Sequence, residues 1–169
     1  MSGKGNEVGD RTLSRGIFDR SIRGTTTSPV IVRVERDRIR FLSQVLGIKD
    51  PVHHEVAAAR AAGHRDLLAP PSFPMVIEAL AHDERARVGL PNMLELLRCD
   101  LRYLLHGGEA YVYTGPIFAG DDIEFAAEFL DFQDKKQGTL EIADVALRFS
   151  HAERGLLVTG RRTLIHRLR

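Results

Sequence analysis

Residues 50–80 read DPVHHEVAAARAAGHRDLLAPPSFPMVIEAL, and this stretch decides the fold that the sequence predicts. A loop with two histidines, His53 and His54, is followed by a short alanine-rich helix and a proline-rich turn. The last part predicts a helix that is apolar on most sides, and such a helix is usually surrounded by the rest of its fold. The free N–H groups at its start suit an anion or a polarised carbonyl. A histidine loop beside such a helix start indicates acid–base chemistry on a carbonyl compound.

The composition predicts an ordinary globular domain. The chain has 169 residues, 43% of them hydrophobic and 28% charged, and its net charge of +1 gives no reason to expect nucleic acid or a membrane as partner. No apolar run is long enough to span a bilayer, and the polar N-terminus lacks the apolar core of a signal peptide. With Cys99 as the one cysteine, neither an internal disulfide nor a cysteine-based metal site can form. We expect a cytoplasmic protein without metal or redox cofactor.

The first half of the chain predicts a flexible arm and then helices. Residues 1–16 are polar and rich in glycine, which predicts a flexible N-terminal arm, and residues 17–169 are expected to form a single domain. Residues 35–46 have helical spacing, and residues 55–62 predict a short helix that ends at a glycine. Ser72 is the candidate N-cap of the apolar helix, with Pro74 in its first turn.

The second half predicts antiparallel strands. Residues 109–118 are strand-like, residues 123–129 alternate apolar and polar side chains, and residues 156–165 form the last strand. Between them, the apolar phase of residues 140–149 switches, which predicts a β-bulge near Ala143 and Asp144. Helices followed by a meander of strands predict the α+β class.

Several short motifs occur in an order and spacing that resemble a known family. They are residues 22–24 (IRG), 34–41 (VERDRIRF), 50–53 (DPVH), 58–63 (AARAAG), 68–73 (LAPPSF), 105–109 (LHGGE) and 116–121 (PIFAGD). With them, the chain from Ile17 onward resembles the MaoC-like dehydratases of the hot-dog fold. It is most similar to their N-terminal, FAS1-like dehydratase group, which includes the non-catalytic-type subunit of (3R)-hydroxyacyl-ACP dehydratases. The resemblance implies a hot-dog fold, in which a curved antiparallel sheet wraps a long central helix.

The resemblance also implies a reaction and its residues. Catalytic relatives carry an Asp-x-Asn-Pro-x-His loop and interconvert (3R)-3-hydroxyacyl and trans-2-enoyl thioesters. Laid on this chain, the histidine falls on His53 and the asparagine position on Asp50. The aspartate position falls on Ile48, whose side chain cannot exchange a proton. Asp50, His54 or a second polypeptide is left to complete the site.

The resemblance places a thioester-carbonyl site at the start of the central helix. Backbone N–H groups around Ser72 and Phe73 would hold the carbonyl oxygen, and Met75 would help to line the acyl pocket. Each candidate also has a purely structural interpretation. His53 could be a hydrogen-bonding loop residue, Asp50 a turn residue, and Phe73 and Met75 core residues.

Three functions follow from the resemblance. The first is an acyl-thioester hydratase or dehydratase that acts on acyl-CoA or acyl-ACP. The alternative is a non-catalytic acyl-binding subunit of a heteromeric dehydratase, and a weaker alternative is a thioesterase, since one fold hosts several activities. Because exposed sheet edges are normally paired, we expect a homodimer or a heterodimer with a catalytic MaoC-type subunit.

Overall fold

The computed structural model describes residues 17–168, so the arm predicted for residues 1–16 lies outside the described residues. Five strands form one antiparallel sheet in the order β1-β3-β4-β5-β2. Together with the helices they confirm the predicted α+β class. The strands are β1 (Val30–Arg33), β2 (Leu104–Tyr113), β3 (Asp122–Lys135), β4 (Leu140–His151) and β5 (Gly155–Arg167). The helices are α1 (Arg36–Val45), α2 (Val56–Ala61), α3 (Pro74–Arg87) and α4 (Met93–Leu97).

The longest helix, α3, packs on the sheet over β1 and β3. Its buried apolar residues include Ile77 and Ala81, which meet the inward-facing side chains of the strands in one core. Its other face is not covered by the described residues, because Met75 and Ala79 are exposed. The sequence predicted that α3 is buried on most sides. Alanine and methionine are apolar, and a sequence pattern does not show whether another part of the protein covers them.

The sequence predicts a β-bulge near Ala143 and Asp144 in β4, and this prediction is wrong, because the bulge lies in the paired strand β3. In β4 the core-facing phase runs without a break from Glu141 through Ala143 to Phe149. The extra residue is Leu130 in β3, where the register shifts opposite Val145 and Asp144. Buried Glu141 misled the prediction, because a charged residue in the core phase made its apolar neighbours look like the inner face.

Two element boundaries also differ from the prediction, and one helix was not predicted. Phe73, and not Ser72, is at the N-cap position of α3, and no side chain caps that helix. Strand β2 begins at Leu104, five residues before the predicted start. The prediction missed these residues because the glycine-rich start of the strand has no alternating pattern. Helix α4 lies in a stretch that had no predicted element, and Asn92 begins it with a capping box that includes Glu95.

Strand β2 lies at one edge of the sheet. Among the described residues it pairs with β5 alone, so its other edge has no partner strand. Two of its apolar side chains, Leu105 and Val112, are 57% and 65% exposed. An unpaired edge with exposed apolar side chains is typical of a surface that another chain covers.

Candidate active site

The histidine loop is a short 3₁₀ turn, Pro51–His53, which Asp50 begins. The Asp50 carboxylate accepts a hydrogen bond from the Val52 N–H at 3.1 Å, and Pro51 supplies the fixed backbone angle of the first position. This turn directs His53 inward, where it is 8% exposed. The local sequence DPVH therefore explains how one imidazole is placed below the surface.

The His53 ring has a defined tautomer. Its Nδ1 lies 2.6 Å from the backbone carbonyl oxygen of Leu68. A carbonyl oxygen can only accept, so Nδ1 carries the hydrogen, and the neutral ring presents the lone pair of Nε2. His53 can thus accept a proton or a hydrogen bond at Nε2 without losing the contact that orients it.

His53 lines a cleft of about 510 Å³ between the histidine loop, the segment before α3 and the end of β2. Most of the wall is apolar. Tyr113 and Thr114 line it too, but their hydroxyls donate to the carbonyls of Pro71 and Leu156, each at 2.6 Å. Burial raises the pKa of Tyr113 to about 12, so this phenol stays neutral. The other lining residues are Leu68, Ala69, Pro71, Gly115, Pro116 and Ile117.

Asp50 and His54 do not join His53 in this cleft. The exposed Asp50 side chain accepts a hydrogen bond from the Val52 N–H. Asp50 contacts His53 through the backbone, where the His53 N–H donates to the Asp50 carbonyl oxygen. His54 Nε2 lies 2.8 Å from the carbonyl oxygen of Ile48, which ties the loop to the end of α1. The three predicted catalytic residues are therefore neighbours in sequence, but of the three only His53 lines the cleft.

The predicted thioester-carbonyl site is engaged in local hydrogen bonds. The Phe73 N–H donates to the Pro70 carbonyl at 2.8 Å, and the Met75 N–H donates to the Ser72 carbonyl at 3.2 Å. The Phe73 ring is fully buried in the core, whereas Met75 is 46% exposed. Among the described residues, the Ser72 N–H has no acceptor, and it directly follows the cleft residue Pro71.

The described lining of the cleft offers one side chain suited to acid–base chemistry, the His53 imidazole. That lining contains no carboxylate. Water addition to an enoyl thioester, or its reverse, moves one proton at Cα and one at the oxygen on Cβ, which normally engages two groups. The arrangement can bind an acyl chain and hydrogen-bond a hydroxyl, and it lacks the second proton carrier.

A buried charged cluster lies between α3 and the β2–β5 pair, and the sequence analysis missed it. Arg162 on β5 is in contact with Glu78 of α3 and Glu109 of β2, and Tyr111 donates to Glu109. Burial raises the pKa of Glu78 and lowers that of His82, whose Nε2 lies 3.9 Å from Glu78 Oε1. The available signal was an arginine in the core phase of a strand, since a buried charge requires a partner.

The chain from residue 21 to residue 158 matches the family model of the FAS1-like dehydratase domain region. The chain belongs to the FAS1-like dehydratase family. A UPF0336 protein of Parafrankia sp. (strain EAN1pec) is 30% identical to this FAS1-like dehydratase domain over 141 residues, which are 83% of this chain and 88% of the relative. The family predicted from the sequence is therefore confirmed.

Two solved structures have the same fold as this FAS1-like dehydratase domain. A MaoC-like dehydratase superposes with a TM-score of 0.72 at 21% identity, covering 88% of this chain and 43% of that one. The C-terminally truncated HadBC (3R)-hydroxyacyl-ACP dehydratase complex from Mycobacterium tuberculosis gives a TM-score of 0.66 at 17% identity, covering 85% and 96%. These likenesses confirm the predicted hot-dog fold. Among the described helices of the domain, none is long and apolar enough to cross a membrane.

Proposed function

We propose that this protein is an acyl-thioester-binding subunit of a heteromeric dehydratase for 3-hydroxyacyl or trans-2-enoyl thioesters. The observation that carries the proposal is the cleft itself, which presents the oriented imidazole of His53 and, among its described lining residues, no carboxylate. A partner chain supplies the missing proton carrier. Membership of the FAS1-like dehydratase family supports the reaction class.

The wall of the cleft suits the acyl part of a thioester. Leu68, Ala69, Pro116 and Ile117 present apolar surface, and the volume of about 510 Å³ lies in the range of small-molecule sites. The hydroxyls of Tyr113 and Thr114 donate to backbone carbonyls, so they do not need water inside the cleft as a hydrogen-bond partner. An acyl chain can therefore be buried without leaving these polar groups unpaired.

His53 recognises the 3-hydroxyl group in this proposal. The Nε2 lone pair accepts a hydrogen bond from that hydroxyl, while Nδ1–H stays on the Leu68 carbonyl. The unpartnered N–H of Ser72, next to Pro71, is the donor for the thioester carbonyl oxygen. The contact at His53 distinguishes a 3-hydroxyacyl thioester from a simple acyl thioester, because the carbonyl oxygen is common to both.

The free edge of β2 is the proposed binding site for the partner. Leu105 and Val112 are exposed on that strand, which has no described neighbour on its outer side. The HadBC dehydratase, whose fold this chain shares, is a complex of two subunits. A catalytic MaoC-type subunit that pairs with β2 would cover both apolar side chains.

A second candidate function is a hydratase that is active without a partner. The specific observation in its favour is the same fixed tautomer, since Nε2 of a neutral imidazole is a competent base. In that case one imidazole would move the proton at Cα and the proton of the leaving or attacking water in turn.

The test compares binding and turnover by the purified full chain. We expect no hydration of short or long trans-2-enoyl-CoA by the chain alone, and binding of 3-hydroxyacyl-CoA by calorimetry. His53→Ala should weaken this binding about tenfold, the value of one hydrogen bond, while His54→Ala, with its ring on the Ile48 carbonyl, should not. Turnover by the chain alone that disappears in His53→Ala would establish the second candidate. A folded chain that binds no acyl thioester would refute both.

A further inference from the structure

A second pocket lies at the opposite end of α3 from the histidine cleft, and the proposed function does not use it. It has a volume of about 210 Å³ and shares no lining residue with the cleft. Arg85 lies eleven residues after Pro74 on α3, which places the two ends about 16 Å apart at 1.5 Å per residue. The pocket is formed where α3, the segment before β1 and the chain after α3 meet.

Arg85 is the charged residue of this pocket, and it is 3% exposed. Its Nε donates to the Pro91 carbonyl at 2.7 Å, and its Nη1 donates to the Ser28 carbonyl. No carboxylate in residues 17–168 forms an ion pair with it. Glu84, the adjacent residue, pairs with Arg87, and Glu95 closes the capping box of α4.

A buried guanidinium without a counter-charge is costly. Burial lowers the pKa of Arg85, although an arginine stays protonated at any physiological pH. Two carbonyls satisfy two of its five N–H groups, and Nη2 has no partner among the described residues. A buried cation usually has an anion beside it, and here the chain described from residue 17 to residue 168 provides none.

The rest of the pocket wall combines hydroxyls with apolar surface. The hydroxyls of Thr26 and Ser28 have no hydrogen-bond partner in the described part of the chain, so both are available to donate. Ile22, Leu90 and Phe129 form the apolar side. A free phosphate would leave this apolar side wet, whereas a short hydrocarbon chain would cover it.

We propose that this pocket binds a small aliphatic carboxylate, with its charge on Arg85 and its hydrocarbon part against Ile22, Leu90 and Phe129. The carboxylate accepts from the Nη2 hydrogens and from the hydroxyls of Thr26 and Ser28. Charge-assisted hydrogen bonds to a carboxylate are the strong ones, and a guanidinium matches its geometry. The site is separate from the thioester cleft and does not depend on the function proposed for it.

The experiment measures binding of sodium hexanoate to the full chain by calorimetry, with sodium acetate, sodium phosphate and sodium chloride at matched ionic strength. We expect saturable binding of hexanoate, weaker binding of acetate, and no more effect of phosphate than of chloride. Arg85→Met should weaken hexanoate binding at least tenfold. Arg87→Met is the matched control, because Arg87 lies two residues further along α3, is exposed and pairs with Glu84. It should leave the affinity unchanged.

A second variant keeps the test valid should Arg85→Met fail to fold. Ser28→Glu changes an exposed residue, leaves Arg85 and its carbonyl bonds in place, and puts a competing carboxylate at the pocket. It should also abolish hexanoate binding, and His53→Ala should not affect it. Binding that survives Ser28→Glu, that is lost in His53→Ala, or that chloride reproduces would overturn the proposal.

Discussion

Glu78 of α3 and Arg162 of β5 form an ion pair that is buried between the helix and the sheet, with side chains 4% and 9% exposed. The same guanidinium reaches Glu109 on the edge strand β2. One arginine therefore joins the central helix, an inner strand and the edge strand. Both carboxylates lose hydration there, and the guanidinium between them supplies the opposite charge that offsets this cost.

Replacing this arginine should be among the most destabilising changes in the chain. In Arg162→Met the carboxylates of Glu78 and Glu109 lose the guanidinium between them, and we expect a loss of about 3–5 kcal/mol in the free energy of unfolding at pH 7. Urea denaturation measures it. Arg161→Met is the matched control on the neighbouring exposed position, with an expected change within about 0.5 kcal/mol. Burial raises the pKa of Glu78, so the deficit should shrink at lower pH as this carboxyl becomes neutral. Equal losses in the two variants would contradict the prediction.

The bond between Asp66 and Arg36 should make stability depend on pH in the acid range. Arg36 donates to both carboxylate oxygens of Asp66, at 2.9 Å and 2.6 Å, and this lowers the pKa of Asp66 from 3.8 to about 2. A lowered folded-state pKa means that the stabilisation is complete above the unfolded value and is lost as pH falls towards the folded value. Asp66→Asn should therefore cost about 1 kcal/mol or less at pH 7, because Arg36 is half exposed, and the cost should vanish at pH values below the folded-state pKa.

Urea denaturation of the wild type and of Asp66→Asn at a series of pH values gives that difference. In an Arg36→Gln background the same substitution should have a smaller pH-dependent effect between pH values of about 4 and 2, because the main cause of the lowered pKa is gone while the Leu67 N–H still donates to Asp66. A difference of undiminished size in this background would show that Arg36 is not the main cause.

Gly107 in β2 should not tolerate a side chain. A Cβ atom there would lie 2.7 Å from Ile165 Cδ1 and 3.1 Å from the backbone oxygen of Thr163. Gly107 lies at a bulge, since the register of β2 with β5 shifts between His106 and Gly108. Gly107→Ala should lower the free energy of unfolding by about 1–3 kcal/mol, because the backbone there has to move away. Gly108→Ala is the control, since a Cβ at that neighbour meets nothing within 4 Å. Thermal unfolding compares the two, and indistinguishable melting temperatures would mean that the close approach is not limiting.

Removing the N-cap of α4 should have a moderate effect. The Asn92 side chain accepts hydrogen bonds from the N–H groups of Leu94 and Glu95, at 2.9 Å and 3.0 Å. Asn92→Ala is expected to cost about 1 kcal/mol, whereas Asn92→Asp keeps an acceptor and should cost much less. Chemical denaturation of both variants checks this, and the expectation fails if the aspartate variant loses as much as the alanine variant.

Local chemistry let the sequence predict much of the histidine loop and of the sheet. Asp50 and Pro51 fix a turn within four residues, so the position of His53 in a loop ahead of α3 follows from neighbours in the chain. The alternation of residues 123–129 likewise predicted a half-buried strand, because strand geometry itself sends successive side chains to opposite faces. Family motifs added the hot-dog fold, which a family model and solved structures confirm.

The sequence by itself therefore determined the α+β class, the family and the imidazole at residue 53, since each of these depends on local patterns or on motifs in a fixed order. Only the tertiary structure decided which side chains share the cleft, that Arg162 lies between Glu78 and Glu109, and that Arg85 is buried without a carboxylate. Those contacts join residues that are as many as 84 positions apart, as Glu78 and Arg162 are. Their geometry depends on the packing of α3 on the sheet, which no local pattern specifies.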